Sequence, residues 1–252
     1  MSDRPQTTRD ALLGGRIHVE QPASGFRAGT DAVLLAAATE AVAGQRVLDL
    51  GCGVGTAALC LAARVPGLEL HGLELQPAYA ELARRNAAAN DLSLTVHEGD
   101  VAAMPAALRA RVFDHVILNP PFFPAGSASP AADPGRDLSR RDGTAGLAVW
   151  IDAGLRRLRP GGVLTLIQRI ESLPEILACL SPRAGGLCVL PLAARPGRPA
   201  ARAIVRGRKG ARAGFRLLAP FILHDDGDSG RFSGKAEKIF REVSALSWSD
   251  GG

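Results

Sequence analysis

The sequence predicts an α/β fold: a mostly parallel sheet with helices on both faces. Short apolar runs alternate with helical stretches through the first two thirds of the chain, and that alternation builds a parallel sheet covered on both sides. Ala and Leu dominate the apolar residues while aromatics are only 4%, which favours helices packed on a sheet over an all-β sandwich. With 252 residues, 46% of them hydrophobic and 22% charged, the chain can bury a sizeable core and has the wrong composition for disorder. No internal repeat or separating linker is visible. One domain is therefore expected over 1–252, with an N-terminal extension and lid helix over 1–44 and the core over 45–252.

Residues 1–25 are polar and glycine-containing, with one short apolar patch at 17–19. A helix is expected over 30–43, with Thr30 or Asp31 suited to cap it. A strand at 46–50 ends in a glycine-rich turn, followed by a helix at 56–64 and a strand at 68–75. Pro77 opens a helix over 77–90, where its missing N–H costs nothing in the first turn and Ala, Glu and Arg favour the later turns. Strands are expected at 93–98 and 112–118. Residues 119–144 are rich in Pro, Gly, Ser and Asp without periodicity, and so long an irregular stretch inside a domain is usually functional or mobile. A helix over 147–158 is closed by Arg159-Pro160-Gly161-Gly162, and strands come next at 163–167, 187–190, 202–205 and 215–223. The last helix is expected over 235–243.

The formal charge of +5 and the pI of about 9.5 point weakly to an anionic partner. Their distribution is more specific. No acidic residue lies between Glu175 and Asp225, whereas Arg183, Arg195, Arg198, Arg202, Arg206, Arg208, Lys209, Arg212 and Arg216 do. That tract fits either a phosphate-binding face or a solvated region of strands and turns. Cys52, Cys60, Cys179 and Cys188 show neither a CxxC pair nor metal-ligand spacing, and the scattered histidines form no metal set. The N-terminus lacks the apolar region of a secretory signal and no apolar run is long enough to span a membrane, so a cytoplasmic protein is expected.

The first chemistry-bearing motif is Asp49-Leu50-Gly51-Cys52-Gly53-Val54-Gly55. Gly51, Gly53 and Gly55 let the backbone turn sharply after a strand and approach a ligand closely. Glu74, closing the next strand, is placed to take both ribose hydroxyls of an adenosine, an arrangement that also serves NAD. Asp49 separates the two: a pyrophosphate over this turn would be repelled by the carboxylate, whereas a sulfonium amino acid with a cationic amine would not. S-adenosylmethionine is the cofactor this favours. Asp100, after the third strand, is placed to accept from the adenine amino group or to close a turn.

Asn119-Pro120-Pro121-Phe122 follows the fourth strand. An exocyclic amine on a purine or an amide is a poor nucleophile because its lone pair is delocalised. Two acceptors gripping its N–H bonds push the nitrogen toward tetrahedral geometry and free that pair. The Asn119 side-chain oxygen and the Pro120 carbonyl suit this role, and consecutive prolines present carbonyls stiffly, without competing donors. Phe122 offers an apolar face for a planar group to stack on. Trp150, at helical spacing with Leu147 and Gly154, is expected in the core, and Arg140 and Arg141 in a solvated loop.

These two motifs together resemble the class I methyltransferases that carry an NPP[YF] motif. Phe26-Arg27-Ala28-Gly29-Thr30-Asp31-Ala32-Val33-Leu34-Leu35 is similar to the segment opening the bacterial tRNA1(Val) adenine-N6 methyltransferases, and the likeness covers roughly residues 11–190. The resemblance implies a class I (Rossmann-like) fold with a seven-stranded, mostly parallel sheet. It also implies a methyl transfer from S-adenosylmethionine to an adenine beside a tRNA anticodon, with Arg27 and Thr30 lining the methionine end of the cofactor. Family members commonly have Tyr at the position of Phe122; stacking survives that change, but the preference for adenine is less firmly implied. An rRNA guanine-N2 methyltransferase, a release-factor glutamine-N5 methyltransferase and a non-catalytic cofactor- and RNA-binding module remain alternatives. The retained Asn119 argues against the last.

Overall fold

The computed structural model describes residues 6–25, 27–121, 146–226 and 230–248. Phe26, Phe122 and Arg140–Arg141 lie outside them, as does nearly all of the irregular 119–144 stretch. The core is a single mixed sheet. Its seven longer strands are β3 (Arg46–Leu50), β4 (Glu69–Glu74), β5 (Thr95–Glu98), β6 (Phe113–Leu118), β7 (Leu158–Arg169), β8 (Ala184–Ala193) and β9 (Ala200–Lys209). They lie in the order β8-β9-β7-β6-β3-β4-β5, parallel throughout except for β9, which runs against both β7 and β8. Two further two-residue strands, β10 (Arg216–Leu217) and β11 (Phe221–Ile222), pair with β8. A single strand was expected at 215–223; Pro220, with no N–H to give to a ladder, interrupts it.

Helices cover both faces. α1 (Thr30–Ala38), α2 (Thr56–Arg64) and α7 (Gly234–Glu242) bury their apolar residues in one cluster, together with alternate strand residues such as Val47, Ile117, Ile167 and Ile204. α4 (Ala106–Arg109), α5 (Leu147–Arg157) and α6 (Leu173–Leu180) bury theirs in the other, against Leu48, Leu50, Leu118, Leu166 and Val205. The period of two along each strand assigns neighbours to opposite clusters. α3 (Pro77–Ala89) comes after β4 as the sequence predicts, ending one residue earlier.

The helix expected as a lid is instead built into the core: Ala32 through Ala38 are all buried. It stops at Ala38 rather than at residue 43 because its last carbonyls meet tertiary donors. The Thr39 hydroxyl donates to Leu35 O, the Arg64 guanidinium to Ala36 O, Leu246 N–H to Ala37 O and the Trp248 indole to Ala38 O at 2.8 Å. Of the terminal carbonyls that a helix leaves unsatisfied, Thr39 closes one locally and Arg64, Leu246 and Trp248 close three from far along the chain. Its cap is Gly29, without a side-chain bond, and not Thr30 or Asp31. Trp248→Phe leaves the buried Ala38 carbonyl unpaired and is expected to lower stability by about 1–3 kcal/mol. Chemical denaturation tests this; an unchanged midpoint would remove the indole from the closure of α1.

Residues 1–25 hold an unforeseen hairpin, β1 (Thr7–Leu12) and β2 (Ile17–Pro22). β2 docks on α3 through two asparagines one helical turn apart. Asn90 exchanges bonds with His18 N–H and C=O at 2.9 and 2.7 Å, and Asn86 with Glu20 N–H and C=O at 2.8 and 3.0 Å. The side-chain amides stand in for a neighbouring strand. Asn86 also donates to Val54 O at 3.0 Å, which ties the hairpin to the glycine turn.

At least six of the nine cations of the basic tract already have partners within the fold. Arg202 pairs with Asp31, Arg206 with Glu40 while lying over the Trp248 ring, and Arg183 with Asp152. Arg208, Lys209 and Arg216 donate to the carbonyls of Gly161, Leu158 and Trp248. Much of this charge fastens β9 and its neighbours to α1 and the C-terminal tail.

Candidate active site

The carboxyl ends of the central strands come level with one another. Leu50 of β3 lies opposite Leu73 of β4 and Leu118 of β6, so Gly51, Glu74 and Asn119 leave the sheet side by side, with neighbouring strands about 4.8 Å apart. Glu74 in turn lies opposite Glu98, two residues before Asp100. The two sequence motifs therefore meet at one edge of the sheet.

Gly51, Gly53 and Gly55 have φ of +70°, +56° and +87°, left-handed values that disfavour any side chain. Gly51 and Cys52 donate to Leu73 O, and Gly55 to Cys52 O, turning the chain into α2. Gly51 also meets Trp150 on α5: a Cβ there would stand 2.6 Å from the indole ring. Cys52 is buried against Gly72, a packing role, and burial pushes its thiol well above the usual range.

Glu74 is only 7% exposed. One carboxylate oxygen accepts from Gly53 N–H and the other from Gln76 N–H, each at 2.9 Å. Burial raises its pKa, and the N–H groups of Gln76, Gly53 and Leu75 oppose the rise. The carboxylate holds the bend in shape and keeps further lone pairs for a ligand. Asp49, 3% exposed, lies on the α2 side of β3. Burial pushes its carboxyl up to about 7; a hydrogen bond from Ala58 N–H pulls it down, and the Glu74 charge adds to the rise. Its Oδ2 is buried with no hydrogen-bond partner. Asp100 accepts from Ala102 N–H at 2.8 Å through one oxygen, closing a turn after β5.

Asn119 and Pro121 are half-buried and Pro120 is buried. The Pro120 carbonyl accepts from the Gln168 side-chain amide at 3.2 Å. Gln168 carries little signal in the sequence, where it is only an amide at the end of an apolar strand. Trp150, expected only in the core, forms a wall of the glycine bend, and its indole N–H is buried without a partner. Thr30 is half-buried in the first turn of α1. Among the described residues no contact is seen that brings Arg27 to the bend. Its guanidinium donates to Thr8 Oγ1, Pro22 O and Asp10 Oδ2 at 2.6, 3.0 and 2.5 Å, clamping the hairpin. Phe122 lies outside the described residues.

The glycine cradle, the buried carboxylates beneath it and an acid at the tip of the adjacent strand fit a sulfonium nucleoside, and the whole fold with this bend defines a class I methyltransferase, an S-adenosylmethionine-dependent class. Comparison with known proteins agrees. The family model of the methyltransferase small domain matches residues 24–132. The tRNA1(Val) (adenine(37)-N6)-methyltransferase of Aeromonas hydrophila is 32% identical over 200 residues, 77% of this chain and 82% of that protein. That of Porphyromonas gingivalis is 36% identical over 169 residues, 64% of this chain, and the match spans 66% of its length, slightly under two thirds. An Agrobacterium tumefaciens structure described as a predicted O-methyltransferase superposes with a TM-score of 0.70 at 31% identity, covering 86% of this chain and 98% of that one. The chain belongs to the tRNA1(Val) (adenine(37)-N6)-methyltransferase family. Among the described residues no helix is long and apolar enough to cross a membrane.

Proposed function

We propose that the protein methylates the exocyclic N6 of an adenine in tRNA, using S-adenosylmethionine, and that the chain over 1–252 forms one such domain acting in the cytoplasm. The observation that carries this is the register: Asn119-Pro120 leaves β6 level with Gly51 of the glycine bend on the adjacent strand. When bound, S-adenosylmethionine supplies a methyl group on a positively charged sulfur. The bend, Glu74 and Asp100 would hold its adenosine, with the Asp49 carboxylate beneath its cationic amine; Thr30 would border its methionine end, Arg27 only through the hairpin. Asn119 Oδ1 and the Pro120 carbonyl accept the two amine N–H bonds; the stacking role that the sequence suggests for Phe122 falls outside the described residues. Held by those two acceptors, the amine nitrogen would turn its lone pair toward the methyl group that the bound cofactor would supply, and its surplus proton would leave to water. Acceptors aimed at the charge developing on that nitrogen stabilise the transition state more than the ground state.

The family name given to its relatives and the net charge of +5 support RNA as the partner. Labelled cofactor is incubated with undermodified tRNA, rRNA and protein, and the methylated species is identified by mass spectrometry. N6-methyladenine in tRNA is expected. N2-methylguanine or methylglutamine would replace the substrate assignment, and no transfer at all would leave a binding module.

Asp49 adds a pH signature. Its carboxyl titrates near 7 in the folded protein against 3.8 for the free side chain, and only the ionised form attracts a cationic amine. Cofactor affinity therefore rises as pH climbs through 7, then flattens. Stability runs the other way: between those two values the folded chain binds more protons than the unfolded one, so the fold weakens as pH rises through that window. Asp49→Asn flattens both trends. Calorimetric titration of the cofactor and thermal melts across about pH 5 to 8.5 check this, and an unchanged slope in the variant removes Asp49 as its source.

A further inference from the structure

We propose that Gln168 is a positioning residue that fixes the Pro120 carbonyl in the orientation that receives the substrate amine. The inference rests on the reading of Asn119 and Pro120 as the acceptor pair.

Gln168 is the penultimate residue of β7 and is 4% exposed. Leu118 of β6 lies opposite Leu166, so two residues further on Pro120 is level with Gln168. An ordinary strand at this point would be held to its neighbour by the backbone ladder. Pro120 and Pro121 have no N–H, so this stretch of chain has no ladder donors with which to tie itself to β7. The Gln168 side chain supplies the missing tie from the other strand. Its Nε2 donates to Pro120 O at 3.2 Å, and its Oε1 accepts from Arg169 N–H at 2.8 Å. The second bond fixes the sense of the first: turned over, the amide would set its NH2 against the Arg169 N–H and its oxygen against the Pro120 oxygen. A carbonyl has two acceptor sites. Gln168 takes one and leaves the other for the amine, and it pins a proline segment that has no other lateral bond among those seen at this carbonyl.

The role is one of placement, so it belongs to turnover and not to cofactor binding. Gln168→Leu keeps the volume and removes the donor. Its single-turnover transfer rate is expected to fall by about 10- to 100-fold, the scale on which a misplaced reacting group acts, with cofactor Kd within about twofold. Gln168→Glu supplies the discriminating readout. A protonated carboxyl repeats the amide pattern, with O–H donating to Pro120 and C=O accepting from Arg169; the carboxylate offers Pro120 no donor. On the facing strand Gln168 lies opposite Ala203, an uncharged neighbour on the same face, whereas the nearby pairs Arg169–Glu171 and Arg202–Asp31 are built on Arg169 and Arg202, which alternate to the α1 face of the sheet. The rate of Gln168→Glu relative to the unaltered protein should therefore rise as pH is lowered, which a mere filler of space would not show. A Gln168→Leu rate within about twofold of the unaltered protein, or a flat relative profile for Gln168→Glu, overturns the proposal. If Gln168→Leu does not fold, the Gln168→Glu profile decides alone. The comparison is made on whichever amine the unaltered protein methylates. A guanine or glutamine product would overturn the adenine reading and leave this test intact, whereas no turnover on any amine would overturn both.

Discussion

Asn119→Ala is expected to lower methyl transfer by about 10²- to 10³-fold, the usual effect of removing one preorganised polar group facing developing charge, while cofactor affinity stays within about twofold. The separation comes from where the residue stands. Asn119 follows the end of β6, whereas Glu74, Gly53 and Asp49 belong to β4, the bend between β3 and α2, and β3, and no hydrogen bond between the two groups is seen among the described residues. Removing the side-chain oxygen should therefore leave the bend intact and take away one of the two acceptors proposed for the amine. Single-turnover transfer of labelled methyl and calorimetric titration of the cofactor measure the two quantities independently. Unchanged turnover would remove the proposed role. A parallel loss of thermal stability and cofactor affinity would make Asn119 a turn former that shapes the site indirectly.

Legibility of this chain tracked the range of the interactions. β3 and α2 begin and end where the sequence predicts, because each is delimited locally: an apolar run, then glycines, then alanine-rich helix. The glycine bend was legible for the same reason, since φ-positive glycines and the strand before them are neighbours in sequence. The hairpin was not legible. β1 is polar and largely exposed, and its partner strand is held by a pair of asparagines on α3 lying 66 and 72 residues away. The end of α1 was hidden in the same way, since Leu246 and Trp248 supply the donors. Arginines in the basic tract look alike in sequence, and only the fold reveals that Arg202 and Arg206 face carboxylates on and just after α1. Gln168 escaped because its partner is a backbone carbonyl, which no side-chain pattern announces.

Gly51→Ala should be more damaging than one methyl group suggests, because two independent costs coincide. The backbone there has φ of +70°, where an L side chain costs about 1–2 kcal/mol. The added Cβ would also stand 2.6 and 2.7 Å from two ring carbons of Trp150, and forcing an extra group into packed surroundings costs about 1–3 kcal/mol. Together they give a loss of about 2–5 kcal/mol, unless the bend moves, in which case the cost appears as weakened cofactor binding. Shortening the indole separates the two contributions. In Gly51→Ala/Trp150→Ala the clash is gone and the backbone strain remains, so the pair should be less destabilised than the sum of the single variants. The two residues share one contact, and a coupling of about 0.5–3 kcal/mol is the expected range for such neighbours. Denaturant melts of the four proteins, with cofactor titrations of each, measure that coupling. Strict additivity would mean that Trp150 does not press on the bend, and a Gly51→Ala protein that melts and binds like the original would show that the glycine turn needs no left-handed residue at its first position.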